Sequence, residues 1–227
     1  MIPWPKDPKE IKQYDNDELQ KLAQQTRDFI IQVVSQNGGH LASSLGTVEL
    51  TLALLKVFDF SYGKDQIVWD VGHQSYAWKI LTGRADRFPT LRQMDGLAGF
   101  PKREESDYDF FNTGHSSTSI SAAQGLARAK ELKGEEGRVI AVIGDGAMTG
   151  GLAYEAMNNL VQSGENVIVI LNDNQMSIDV NVGSLVKHLE KLRVHPSYLD
   201  LKEDTLEHLK HIPWLGERIR DHLDRLK

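Results

Sequence analysis

Two short runs of β-branched residues constrain this chain more than any other feature. Residues 138–143 (RVIAVI) and 166–171 (NVIVIL) are each closed by a polar turn, Gly144-Asp145-Gly146 after the first and Asn172-Asp173-Asn174 after the second. The segment between them, about 150–162, has the length and composition of one helix. Strand, helix, strand with these lengths predicts a βαβ unit. Both runs are apolar almost without a break, so the sheet they join is predicted to be covered on both faces. The fold class that follows is α/β, a parallel sheet with helices on both faces. A further strand is predicted at 66–71 (QIVWDV), ending in Gly72-His73.

The rest of the chain changes period around this unit. Residues 1–12 hold Pro3, Pro5 and Pro8 and read as an extended arm. Asp15 with Glu18 three positions later predicts a capping box and a helix from Asn16. Leu19, Leu22, Ala23, Thr26, Ile30, Val33 and Val34 then recur at helical spacing until Gly38-Gly39. A second apolar helix is predicted over about 47–58, and another from 74 to 82, stopped by Gly83. Residues 95–114 lack any period and read as a long loop; loops of that length inside a compact domain usually carry function. Residues 116–133 read as a helix with Ile120, Ala123, Leu126, Ala127 and Ala129 on its apolar side, and the stripe from Ile120 to Leu132 is assigned to core. Residues 1–185 form the predicted domain. Residues 186–227 are read as a charged, partly helical and mobile extension, with helix over 206–226 around a break at Pro213.

Composition excludes several classes. The formal charge of −6 is spread along the 227 residues and nothing forms a basic nucleic-acid patch. No apolar run approaches the roughly 18 residues of a membrane helix, and the start MIPWPKDPKE lacks a signal-peptide pattern. The absence of cysteine removes disulfide frameworks and thiolate metal sites, and a cytoplasmic protein is the simple inference.

The turns that close the strands carry the chemistry. In open parallel sheets ligands sit beyond the carboxyl ends of the strands. Asp145 follows one strand and Asn174 the next, 29 positions later, and a right-handed crossover brings such ends to one edge of the sheet. A carboxylate, an amide oxygen and a loop carbonyl suit a hard cation. Mg²⁺ takes one or two protein carboxylates and completes its shell with water and phosphate oxygens. Gly144 and Gly146 let the backbone approach a ligand closely, and the N-terminus of the following helix suits a diphosphate. A helix terminus contributes about 0.3–2 kcal/mol towards an anion. Micromolar binding needs about 8 kcal/mol, so the cation bridging Asp145 to the diphosphate is the decisive element.

GDGAMTGG (144–151) with LNDNQMSI (171–178) resembles the thiamine diphosphate fingerprint. GGHLASSLGTVELTLALLKVFD (38–59), WDVGHQSYAWKILTGR (69–84) and GFPKREESDYDFFNTGHSSTSISAAQGLA (99–127) narrow the resemblance to the 1-deoxy-D-xylulose-5-phosphate synthase family. It runs over about residues 12–185, with a looser match to the end. The segments around His40, His73 and His115 separate it from transketolase, which shares the fold.

By position, the resemblance implies Asp145, Asn174 and the backbone carbonyl of Met176 as Mg²⁺ ligands. Gly144, Gly146, Ala147 and Asn174 would lie against the diphosphate, and Gly114, His115, Ser116, Ser117 and Thr118 would line the cofactor groove. His40 and His73 would face the reacting carbons as the catalytic acid/base or hydrogen-bonding groups. Asp70 reads equally as a carboxylate of the site or as a cap. His188, His195, His208, His211 and His222 read as solvated surface.

The reaction implied condenses pyruvate with D-glyceraldehyde 3-phosphate, releasing CO₂, to give 1-deoxy-D-xylulose 5-phosphate, a precursor of isoprenoids, thiamine and pyridoxal. Family members act as homodimers. They also carry pyrimidine-binding and C-terminal domains, the former supplying the glutamate that activates the aminopyrimidine ring, and this sequence does not contain them. Three readings stay open: part of such a synthase with the remainder on another chain or fragment, a half-subunit of a two-chain transketolase-like enzyme, and a non-catalytic diphosphate-binding module.

Overall fold

The computed structural model describes residues 2–61 and 64–173. The predicted extension at 186–227, and Asn174 and Met176 with it, lie outside the described residues. The N-terminal segment departs from the extended arm expected of its prolines: Pro8–Gln13 is a 3-10 helix. Asp7 and Glu10 form a capping box there, and Pro8 sits in the first turn, where its missing N–H costs nothing. Ile11 is driven fully into the core, which anchors the segment.

Helix α1 (Asn16–Asn37) begins at the predicted capping box. The Asp15 carboxylate accepts from the Glu18 N–H at 2.8 Å and the Glu18 carboxylate from the Asp15 N–H at 2.9 Å. Its buried positions are Leu22, Ala23, Thr26, Ile30, Val33 and Val34, the stripe read from the sequence, with Leu19 at the margin. A five-residue helix, α2 (Leu41–Leu45), precedes α3 (Val48–Val57). Strand β1 (Gln66–Trp69) stops two residues short of its predicted end because Val71 turns to φ 58°.

Helix α4 (Tyr76–Lys79) continues as a wider π turn, Ile80–Arg84, which breaks at Thr82 and Gly83. Residues 91–118 form no regular element. They are nonetheless packed, with Leu91 and Leu97 fully buried. Helix α5 (Ser119–Lys133) starts three residues later than predicted, since Ser117 adopts φ 68°. Strand β2 (Val139–Gly144), helix α6 (Gly151–Ser163) and strand β3 (Val167–Asn172) complete the βαβ unit, with a 3-10 turn (Ala147–Thr149) inserted before α6.

The three strands are parallel in the order β1-β2-β3. Side chains alternate across the sheet. Ile67, Trp69, Ile140 and Val142 face the core shared with α1, α3 and α4, while Val68, Val139, Ala141 and Ile143 are buried outside that cluster. Helix α5 packs on all three strands and against α6. Coverage of both faces therefore holds for β1 and β2.

Strand β3 corrects the expectation: it is half-exposed along its length, and Val169 is 37% exposed. It pairs on one side only among the described residues. The α5 stripe is corrected too. Ala129 and Leu132 face solvent, while Gln124 and Lys130 are buried. The small residues Ala123 and Ala127 let α5 approach closely, which pulls the flanking long side chains into cover. Lys130 lays its stem along the interface and donates to the Lys64 carbonyl at 2.8 Å. Among the described residues no helix is long and apolar enough to cross a membrane.

Candidate functional site

Parallel pairing of β2 with β3 runs to their last residues, where Gly144 is in register with Asn172. Asp145 and Asp173 therefore leave neighbouring strand tips at one edge. Asp145 is 8% exposed. Gly146 leads into the turn Ala147–Thr149 and α6 begins five positions after Gly146, at Gly151. Among the described residues no group of three or more His, Cys, Asp and Glu side chains forms a metal cluster.

The β1 tip reaches the same edge. Asp70, 1% exposed, accepts the Ser117 N–H at 2.8 Å on Oδ1 and the Ser119 N–H at 2.9 Å on Oδ2. The carboxylate thus caps α5 from another strand, which decides between the two readings of Asp70 in favour of the cap. Its carbonyl accepts the Gly72 N–H at 2.5 Å, closing a γ-turn on Val71 at φ 58°. Such a turn on a β-branched residue stores about 1–3 kcal/mol of strain, and strain of this kind persists only where the surroundings over-determine it. Gly72 at φ 89° is required: a Cβ there would stand 2.3 Å from Thr113 Oγ1 and 2.4 Å from Pro101 Cδ.

The turn presents His73. Ser44 Oγ donates to the His73 carbonyl at 3.0 Å and Thr47 Oγ1 to that of Gln74 at 2.7 Å, so α2 and α3 hold its backbone. His40 precedes α2 as its N-cap, and its N–H donates to the Tyr76 hydroxyl at 3.3 Å. The two imidazoles meet edge to face with ring centres 5.5 Å apart, and Phe100 lies 6.0 Å from His40. Nδ1 of His73 is buried without a hydrogen-bond partner among the described residues. Burial holds the pKa of both histidines below the usual 6.5; nearby Arg92 adds to this for His40, and His40 adds to it for His73, against an opposing pull from Asp70. Both rings are neutral near pH 7 and able to exchange a proton.

The predicted groove residues divide in two. Gly114, His115 and Ser116 are exposed, with His115 Nδ1 2.7 Å from the Ser116 carbonyl. Ser117 is buried and its hydroxyl donates to the Ala147 carbonyl at 2.7 Å, while the Thr118 hydroxyl donates to the His115 carbonyl at 3.1 Å. The structure thus links the segment ahead of α5 to the turn after β2.

Sequence reasoning missed a buried charge cluster beside the site. Lys79 pairs with Glu105 and Arg84 with Asp109, all but Glu105 under 5% exposed. Asp109 also accepts from Trp78 Nε1 at 3.2 Å and from the Lys102 N–H at 2.9 Å. Burial pushes the Lys79 pKa below its usual 10.5, against the pull of Asp109 and Glu105. The cluster fastens the 95–114 loop to the molecule. Its signal in the sequence was two cations, Lys79 and Arg84, inside the otherwise apolar stretch YAWKILTGR, opposite the acidic loop.

A profile of the 1-deoxy-D-xylulose-5-phosphate synthase family matches residues 4–227. The curated 1-deoxy-D-xylulose-5-phosphate synthase of Clostridium perfringens (strain 13 / Type A) is 58% identical over 221 residues, covering 97% of this chain and 35% of the relative. That of Clostridium kluyveri is 56% identical over 222 residues, covering 98% and 35%. The chain thus spans about 35% of the length of these relatives. A transketolase from Leishmania mexicana superposes with a TM-score of 0.64 over 77% of this chain and 31% of its own, at 20% identity, a likeness of fold. The chain belongs to the 1-deoxy-D-xylulose-5-phosphate synthase family, of which it represents the N-terminal region, built on a transketolase-like α/β fold.

Proposed function

We propose that this chain supplies the diphosphate-binding domain, residues 1–185 with 186–227 as an extension, of a thiamine-diphosphate- and Mg²⁺-dependent synthase. The complete enzyme condenses pyruvate with D-glyceraldehyde 3-phosphate to 1-deoxy-D-xylulose 5-phosphate and CO₂. It acts as a cytoplasmic homodimer together with its pyrimidine-binding and C-terminal domains. The observation that carries the reading is the convergence of Asp145, at the β2 tip, with the His40–His73 pair, at the β1 tip, on one edge of a parallel sheet.

The residues present fit the cofactor. Asp145 offers the hard oxygen that Mg²⁺ prefers. Nδ1 of His73 is a buried polar atom lacking a partner among the described residues, and such atoms normally find one. Among the described residues, a Cβ at Gly114 or Gly151 would meet nothing within 4 Å, so the space beside these two backbones is open. Asp145, Asn174 and the Met176 carbonyl would hold Mg²⁺. Gly144, Gly146, Ala147 and Asn174 would lie along the diphosphate, and Gly114, His115, Ser116, Ser117 and Thr118 along the groove. Thiamine diphosphate supplies the carbanion-stabilising chemistry. The depressed pKa values leave His40 and His73 neutral, ready to take up or return a proton at the reacting carbons and oxygens.

Asp145→Asn tests the reading. With the remaining domains present, calorimetry should show Mg²⁺-dependent cofactor binding weakened at least tenfold, about 1.4 kcal/mol. Equal affinity in variant and parent would remove the metal assignment.

A further inference from the structure

Asp70 touches more of the site's framework than any role as the cap of one helix requires. Its N–H donates to the Val142 carbonyl at 2.8 Å, tying β1 to β2. Its carbonyl accepts from the Gly72 N–H and, at 3.0 Å, from Gln74 Nε2, which shapes the turn carrying His73. Its two carboxylate oxygens take the Ser117 and Ser119 amides, 47 and 49 positions away. Ser117 continues the chain of bonds to the Ala147 carbonyl in the turn after Asp145. The last approach is tight: a Cβ on Gly150 would stand 2.2 Å from Ser117 Oγ.

We propose that Asp70 is a positioning residue that locks three loops, the His73 turn, the 115–118 segment and the 147–150 turn, into one frame that sets the width of the cofactor groove. It rests on the cofactor reading above. Both oxygens of Asp70 are engaged and the residue is 1% exposed, so it does not itself meet substrate. A carboxylate is the side chain that can do this, since it accepts at both oxygens and charge assistance strengthens both bonds. An asparagine of the same shape keeps one acceptor and sets an NH₂ against the other amide. The positive φ values of Val71 and Ser117, one on each side of the carboxylate, fit backbones held in place by this frame.

The test uses the complete enzyme with its remaining domains, comparing the parent with Asp70→Asn. Two measurements are made: hydrogen exchange over residues 113–119 without cofactor, and kinetics at saturating thiamine diphosphate and Mg²⁺ well below the melting temperature. Exchange at Ser117 and Ser119 should quicken at least tenfold while α1 exchange holds. Cofactor affinity and kcat should each fall at least tenfold, with KM for both substrates within twofold. A role confined to stability would lower the melting temperature and leave kcat of the folded, saturated enzyme unchanged, and that result would overturn the proposal.

Unaltered exchange at Ser117 and Ser119 would overturn it as well, whatever the cofactor does. Failure of the parent to bind thiamine diphosphate would instead sink the cofactor reading, with the exchange data still reporting on the frame. Should Asp70→Asn fail to fold, Ser117→Ala decides. It leaves the Asp70 bonds intact and cuts the link to Ala147, and hydrogen exchange over residues 147–151 in the cofactor-free enzyme should quicken three- to tenfold; unchanged exchange there would refute the frame.

Discussion

Arg84 grips Asp109 through two parallel hydrogen bonds of 2.7 and 2.9 Å, with both residues only 4% exposed and 25 positions apart in the chain. Desolvating two charges is costly, and the pair holds because Trp78, Lys79 and the Lys102 amide complete the shell of Asp109. Asp109→Ala would leave the buried guanidinium with only the longer Glu105 contact at 3.6 Å and the Thr82 hydroxyl, and removing one partner of such a pair costs about 3–5 kcal/mol. Urea unfolding should show that loss. The paired change Arg84→Met with Asp109→Leu should cost less than the single one, because no unpaired charge remains.

The histidine pair predicts a pH dependence. Unfolded, each ring binds its proton at about pH 6.5; folded, each binds it only at lower pH, because burial disfavours the charged form. Unfolding therefore takes up protons as the pH falls below 6.5, and stability should decline from that point towards the folded pKa values. The melting temperature followed from pH 7.5 to 5.5 checks the slope, which should flatten in His73→Gln. By NMR titration, His40→Gln should raise the pKa of His73, since a like charge beside it is gone.

Asp15→Ala should destabilise the protein by about 1 kcal/mol, the usual loss on removing an N-cap carboxylate. Chemical denaturation would measure it. Glu18→Ala should show the same direction, because its carboxylate accepts the reciprocal bond from the Asp15 N–H.

Gly83→Ala should cost more than the exposed-helix figure for this exchange. The residue sits at φ 86°, which costs a side chain about 1–2 kcal/mol, and its new Cβ would lie 2.6 Å from the Lys6 carbonyl oxygen. That atom is backbone and cannot rotate aside. Thermal unfolding should register the change together with faster proteolysis of the N-terminal segment to which Lys6 belongs.

The amino-acid sequence by itself determined the βαβ unit, the α1 stripe with its capping box, and the placement of Asp145 beyond a strand. These rest on periodicity and caps, which act over four residues or fewer, or on the register of a crossover whose handedness is general. It misjudged what depends on neighbours brought from afar. Three prolines read as an extended arm, yet Ile11 found core to enter and Asp7 a cap to make. Leu132 read as core, yet the side of α5 that the sheet covers is set by the close approach of Ala123 and Ala127.

Only the tertiary structure decided that Asp70 is a cap reaching two amides 47 and 49 positions away, that Val71 is strained, and that His40 and His73 stand ring to ring. The same holds for the Lys79, Arg84, Glu105 and Asp109 cluster that fastens the long loop. Each of these joins residues dozens of positions apart, where no local period carries information. Their geometry follows from burying polar groups that must then be satisfied by whichever segment the fold brings within reach.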